Sequence, residues 1–562
     1  MGESYDLLIR GGRVVDGTGS APVVGDVAIS RGRIAAVGDD LGGGAERVIE
    51  ADGRIVAPGF VDIHTHYDAQ ILWDRMLSIS PAHGVTSVVI GNCGFGIAPT
   101  RPEHRDLILR TLENVEGMSL DSLHAGLGEK WPFETFPEYL DAIEGRGMAI
   151  NVGALVGHTP IRMYVMGEES TEREATDEEI ATMRGLVSQA LAAGAIGFAT
   201  SHAPTHVGYA GRPVPSRASA FSEIESLAGP LADSPHGVMQ ATIGADLFLD
   251  QLEAIARQTG KPVSWTALLG GAFGPDGHRD ILERSVALQK GGANVVPQVT
   301  GRPLMFEFQF AAPFPFEMMK LFHPISKGDR DEKKRIYASD EFRAAFRARR
   351  EPEGFGVRWD RTEISDCPPE RALEGRVVAE VAGERGVHAV DLVLDLALAS
   401  DLKARFRSAV ANAEESIVAE LLQHPGAMLG LSDAGAHASQ LCDACFSTHL
   451  LGHWVREKGT LSLEQAVRLL TSRSAEIFGI RDRGRLAEGL AADVTVFDPD
   501  SVGCGPLRRV HDLPGGADRL VSESFGIDCV VVNGEVIRAG GVDLIGADSE
   551  FPGKVLRGGV AS

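Results

Sequence analysis

The sequence predicts a (β/α)8 TIM-like barrel joined to a small β-sandwich domain formed from both chain ends, and three observations carry that prediction. Eight nearly continuous apolar runs recur between residues 59 and 435, separated by stretches of helical periodicity. Runs rich in Val, Ile, Ala and Gly are what strands buried on both faces of a parallel sheet require. Short Val/Ile alternations cut by Gly and Asp occupy residues 5–58 and return near the other end, the pattern of a small antiparallel β-structure. The chain has 562 residues, 44% hydrophobic and 23% charged. That balance excludes global disorder, and the length exceeds a single domain of roughly 100–250 residues.

Taken in order, residues 1–58 and 480–562 are assigned to the β-sandwich and 59–479 to the barrel. The eight runs are 59–66, 85–94, 150–158, 194–202, 237–242, 262–268, 293–300 and 427–435. Between them, 177–193 reads as a helix with Asp177 as its N-cap and Ile180, Met183, Val187 and Ala190 on one face. In 246–259, Phe248, Leu252 and Ile255 share a face in the same way. The gap at about 301–426 is an insertion before the eighth strand. Its aromatic stretch, 306–316, reads as insertion core, and 328–350 is a charged helical stretch. Near the C-terminal end, Asn533-Gly534 between two apolar runs is a two-residue hairpin signal.

Composition limits the partners. Against 78 Asp+Glu stand 54 Lys+Arg, a formal net charge of −24, which argues against nucleic acid or an anionic membrane surface. Six cysteines, at 93, 367, 442, 445, 504 and 529, are too sparse for a disulfide framework, and the Cys442/Cys445 pair lacks a second CxxC. The opening residues show no basic region followed by an apolar one, and no apolar stretch reaches 18 residues. A cytoplasmic location is the expectation.

The chemistry concentrates at the C-terminal ends of the strands, where barrel enzymes place their sites. His64 and His66, two apart after a Pro-Gly break, can address one ion from the same face of a strand. Cys93, beside Gly94 at the end of the second run, reads as an inert buried thiol or as a thiolate ligand. Asp433, at the end of the eighth, reads as a turn or N-cap aspartate or as a carboxylate that shuttles a proton from metal-activated water. His449 and His453, at i and i+4 well past that end, read as solvated or packed.

At these residues the sequence resembles the amidohydrolase superfamily, in its D-aminoacylase (N-acyl-D-amino-acid deacylase) branch. The resemblance runs through YDLLIRGGRVVDGTG, ADGRIVAPGFVDIHTHYD, GVTSVVIGNCGFGIAP, NVGALVGHTPIR, LSLEQAVRLLTSRSAEIFGIRDRGRLAEGLAADVTVFDPD and VVVNGEVI. It implies a hydrolase of a C–N amide-type bond, with His64, His66 and Cys93 as metal ligands and Asp433 as ligand and catalytic aspartate. Zinc is the implied metal, as one or two divalent ions, with manganese or iron as alternatives. A small-molecule amide substrate and a homo-oligomer are implied with it. The branch carries a histidine after strand five and another after strand six, where this chain has Thr242 and Ala267. Three outcomes stay open: a single metal on His64, His66 and Asp433 with or without Cys93; recruitment of His158, His202 or His206 as ligands or substrate contacts; or no catalytic metal. The competing functions are a cyclic amide hydrolase, deamination or decarboxylation on a mononuclear site, and a metal-poor paralogue acting as an assembly scaffold.

Overall fold

A computed structural model describes residues 4–42, 44–274, 276–317, 319–352, 355–437, 440–546 and 549–561. Eight parallel strands form the barrel: β1 Phe60–Asp62, β2 Val85–Ile90, β3 Asn151–Gly157, β4 Gly197–Ser201, β5 Val238–Thr242, β6 Val263–Thr266, β7 Val295–Val299 and β8 Met428–Leu429. They pair in sequential order from β1 to β8. Each falls inside one of the eight apolar runs. Just beyond the regular ladders, His66 N donates to Ala434 O at 2.8 Å and Asp433 N to His64 O at 3.1 Å. These two bonds join the extensions of β1 and β8 where the candidate site residues stand.

Helices on the outside supply the second layer. They include α1 Arg105–Glu116, α2 His158–Met166, α3 Asp177–Ala193, α4 Phe221–Ala228, α5 Leu249–Thr259, α6 Gly277–Lys290 and α7 Glu415–Gln423. The α3 helix covers the expected residues, and Met183, Val187 and Ala190 are buried. Its cap differs from the expectation. Thr176, not Asp177, accepts from Glu179 N, and the Glu179 side chain returns to the Thr176 N–H in a capping box. The extra residue lets the cap take extended backbone while Asp177 begins the helix. In α5, Leu252 and Ile255 are buried against the barrel.

Strands from both chain ends enter one nine-stranded sheet. Its seam is the antiparallel pairing of Val494–Phe497 with Ile55–Pro58, which sets Val496 opposite Val56. Leu7, Ile9, Val27, Ile29, Val56, Val494, Val496 and Val531 form its apolar core, each large side chain contributing about 1.5–3 kcal/mol on burial. The expected hairpin turns at Asn533 and Gly534, at φ +47° and +86°, the doubly left-handed turn that an Asn-Gly pair accommodates. The tail returns to the barrel: Leu556 packs with Val61, Leu155, Val238, Val296 and Met428.

The segment before β8 holds its own antiparallel three-stranded sheet, Leu304–Gln309, Thr362–Asp366 and Arg405–Ala411. Phe308, Phe310 and Phe316 of the aromatic stretch are buried with Tyr337, Phe346 and Phe406 in a cluster separate from the barrel core. The charged stretch is two helices, Arg330–Ala338 and Asp340–Arg347, divided at Ser339, whose hydroxyl caps the second. Among the described residues no helix is long and apolar enough to cross a membrane.

Candidate metal centre

His64, His66 and Cys93 form the one group of three or more potential ligands that converge among the described residues, and all three are buried. The Cys93 sulfur lies 3.3 Å from His64 Nε2 and 4.0 Å from His66 Nε2. Asp433 joins from the β8 end, its Oδ1 3.3 Å from His64 Nε2 and 3.7 Å from His66 Nε2. Unlike the others it is 14% exposed, so its carboxylate faces the open mouth. It caps no helix: its backbone, at φ +47°, turns left-handed, and its carbonyl accepts from Ala436 N.

Each imidazole is oriented from behind. His64 Nδ1 lies 2.8 Å from Gln298 Oε1 on β7, whose amide donates to Ser264 Oγ on β6 at 3.0 Å. An amide oxygen only accepts, so His64 keeps a proton on Nδ1, and Nε2 is the nitrogen turned toward Cys93 and Asp433. Behind His66, Glu116 Oε1, from the last residue of α1, lies 3.2 Å from Nδ1. That contact is off the hydrogen-bond axis, an attraction of charge more than an aligned bond. Both rings thus turn Nε2 toward the same point.

The loop holding Cys93 depends on a glycine. Cys93 and Gly94 both take positive φ, +57° and +69°, and a Cβ on Gly94 would fall 2.7 Å from Thr200 Cα and 2.9 Å from Ala199 O. Only glycine lets the turn lie against β4. The Cys93 N–H donates to Gln240 Oε1 on β5 at 2.6 Å.

Charges in the cluster oppose burial. Burial pushes the Cys93 thiol up, but the His64 and His66 rings outweigh it and bring the group down to about 7. For Asp433 burial also raises the carboxyl, and His66, His64 and His437 overcome it, holding it well below the usual carboxylate range. Burial lowers both histidines, yet His64 is raised by Cys93 and Asp433, and His66 well above its usual value by Glu116 and Asp433. Asp62, under the β1–β8 seam, is raised by burial to about 7, and its Oδ2 accepts from Ser432 Oγ at 2.6 Å.

The remaining histidines bond to other partners, with His206 still within electrostatic reach of His66 and Asp433. His158 meets Thr200 Oγ1 at 2.8 Å through Nδ1 and Glu223 Oε1 at 2.7 Å through Nε2. His202 Nε2 is 3.1 Å from Ser219 Oγ, and its Nδ1 is 3.6 Å from Asp246. His206 Nδ1 bonds Ser201 Oγ at 2.7 Å, its ring centroid 5.1 Å from that of Phe95. His449 and His453 stack 5.0 Å apart, with His453 held by Glu415 and Glu457. Sequence reasoning missed Glu116, Gln240 and Gln298. The two glutamines had left a signal: each is a polar residue inside an otherwise apolar strand run, and a buried amide must find partners. Glu116 left none, being one of many acidic residues in a helix.

A profile of the Amidohydrolase family matches residues 47–314 and 336–538. The chain is similar to a D-aminoacylase of Alcaligenes xylosoxydans xylosoxydans, 31% identical over 512 residues that cover 89% of each chain. It superposes on an N-acyl-D-glutamate deacylase of Bordetella bronchiseptica, complexed with zinc and a phosphonate mimic of the tetrahedral intermediate. That match has a TM-score of 0.66 at 27% identity, over 99% of this chain and 100% of the other. A D-aminoacylase with a binuclear metal centre, described by one-metal activation and second-metal attenuation, also matches with a TM-score of 0.66. Its identity is 26%, over 98% of this chain and 99% of the other.

Proposed function

The chain belongs to the amidohydrolase family, and within it we propose a metal-dependent deacylase that hydrolyses the amide of an N-acyl amino acid, of the D series as in its named relatives. The observation that carries this reading is the convergence of two imidazole Nε2 atoms, one thiol and one partly exposed carboxylate at the barrel mouth. The donor chemistry fits a divalent ion of borderline softness, zinc first, held by His64, His66 and Cys93 with Asp433 beside it. Such an ion supplies a Lewis acid for the amide carbonyl and acidifies a water.

The chain's own groups do the rest. Gln298 orients the His64 ring by a hydrogen bond, and the Glu116 carboxylate attracts Nδ1 of the His66 ring from behind. Asp433 is placed to take the proton of the attacking water on its carboxylate and return it to the leaving nitrogen, which departs as a neutral amine. The buried walls around His64 and Cys93 exclude bulk water, which strengthens each of these interactions.

Metal-replete protein screened against N-acyl-D-amino acids, N-acyl-L-amino acids and cyclic amides, with zinc, manganese or iron, tests the reading. Turnover of the N-acyl-D-amino acids is expected. Activity confined to cyclic amides overturns the substrate class. Purified protein that takes up less than about a tenth of an ion per chain overturns the metal reading.

A further inference from the structure

Strands β5 and β6 present no ionisable side chain of their own at the mouth. Looking inward from β5 and β6 are Gln240, Thr242, Ser264 and Thr266, all neutral, and Ala267 follows them. Thr242 and Thr266 are register partners. From Cys93 a continuous chain of hydrogen bonds crosses this wall. The Cys93 N–H donates to Gln240 Oε1 at 2.6 Å, Gln240 Nε2 donates to Thr266 Oγ1 at 2.9 Å, and the Thr266 and Thr242 hydroxyls lie 3.2 Å apart. Ala267 packs with Leu269, Ala411 and Leu431.

We infer that this centre holds a single ion, and that the neutral chain Cys93–Gln240–Thr266–Thr242 takes up the side of Cys93 where a second ion would need its own ligands. The inference rests on the metal reading proposed above and fixes its stoichiometry. A bound dication needs three or four donors, of which thiolate, imidazole and carboxylate are the effective ones. On this side of Cys93 the side chains are an amide, two hydroxyls and a methyl, already hydrogen-bonded to one another or packed on apolar neighbours. To bind here an ion would have to break that chain and lose hydration with no further anionic side chain from β5 or β6 to offset the cost. No histidine from the neighbouring strand ends fills the gap: His158 is bonded at both ring nitrogens, His202 turns to Ser219 and His206 to Ser201. Cys93 therefore serves one ion as a terminal ligand and does not bridge two. This departs from the similar D-aminoacylase, whose metal centre is binuclear.

The test is a titration of chelator-stripped, full-length protein with cobalt(II) and separately with zinc, read by bound metal per chain after desalting and by the cobalt–thiolate charge-transfer absorption. One equivalent is expected for each metal, with the sulfur band saturating at that point. Two tightly bound equivalents, or a sulfur band that keeps growing to the second, overturn the inference while leaving the hydrolase reading intact. Failure to bind any metal overturns the hydrolase reading itself. The double variant Thr242→His/Ala267→His is expected to gain a second equivalent. If it keeps the wild-type circular dichroism and still stops at one, these positions are not what limits the centre.

Discussion

His64 and His66 on one side of the barrel and His158 two strands away are all buried, yet their ring nitrogens meet different surroundings. In the first pair Nδ1 of His64 is bonded to Gln298 and Nδ1 of His66 lies beside the Glu116 carboxylate, while both Nε2 atoms face Cys93 and Asp433. At His158 both nitrogens are occupied, and its acceptor Glu223 also takes Arg162 Nη1 at 2.6 Å, closing a buried ion network. Burial alone therefore does not mark a ligand. What separates the site from the structural network is that its two rings turn one nitrogen each toward a shared cluster of donors, whereas each nitrogen of His158 meets its own single partner.

That contrast can be pressed from either side. The largest expected effect is on the open cluster: Asp433→Asn should keep the metal but lower kcat roughly 10²–10⁴-fold, the usual loss when a proton-transferring group is removed. Steady-state kinetics beside metal analysis would check it, and retained activity would remove Asp433 from proton transfer. The closed network should answer in stability alone. Glu223→Ala leaves Arg162 buried without its carboxylate, a loss of about 3–5 kcal/mol in urea unfolding, with metal content unchanged. If metal is lost while the fold persists, the two clusters are not independent.

A smaller effect is expected at Glu116→Gln, which removes the charge behind His66. Metal affinity measured by chelator competition should fall roughly 10–100-fold, as for other partners behind ligands, with little change in melting temperature. Smallest is the pH response of the closed network. Burial lowers His158 below its ordinary 6.5, so the unfolded chain takes up that proton first and stability falls as pH drops below 6.5. Glu223 is raised by burial but lowered more by His158 and Arg162, to a net value under 4.5. Its contribution is therefore present above 4.5 and lost as pH falls through the folded value. Both act in one direction, so stability should have an acid limb opening near pH 6.5, and Glu223→Gln should flatten its lower part. An unaltered limb in that variant would assign the acid sensitivity elsewhere.

The barrel was legible because its signal is local. A strand buried on both faces must be apolar throughout, and each of the eight strands lies within such a run. The HxH pair was legible for a similar reason, since residues two apart on extended chain share a face. Its setting was less so: regular pairing of β1 ends at Asp62, and His64 and His66 stand on the extension bonded to β8. The cap of α3 was misplaced by one residue because Thr176 and Asp177 are both good caps, and the capping box with Glu179 chooses between them.

The sequence by itself determined the strand–helix alternation, the return of β-structure at both ends, and the candidates His64, His66, Cys93 and Asp433, because periodicity and residue chemistry are carried by adjacent positions. Only the tertiary structure decided which of them meet, which nitrogen of each ring faces the cluster, and which hydrogen-bond partners His158, His202 and His206 take. It also brought Glu116 and Gln298 behind the rings and joined Gln240, Thr266 and Thr242 in one hydrogen-bond chain that starts at the Cys93 N–H. The reason is physical: these pairs lie 50 to more than 200 positions apart or on different strands. Which long-range pairs come together depends on how the whole barrel closes and where each helix packs on it.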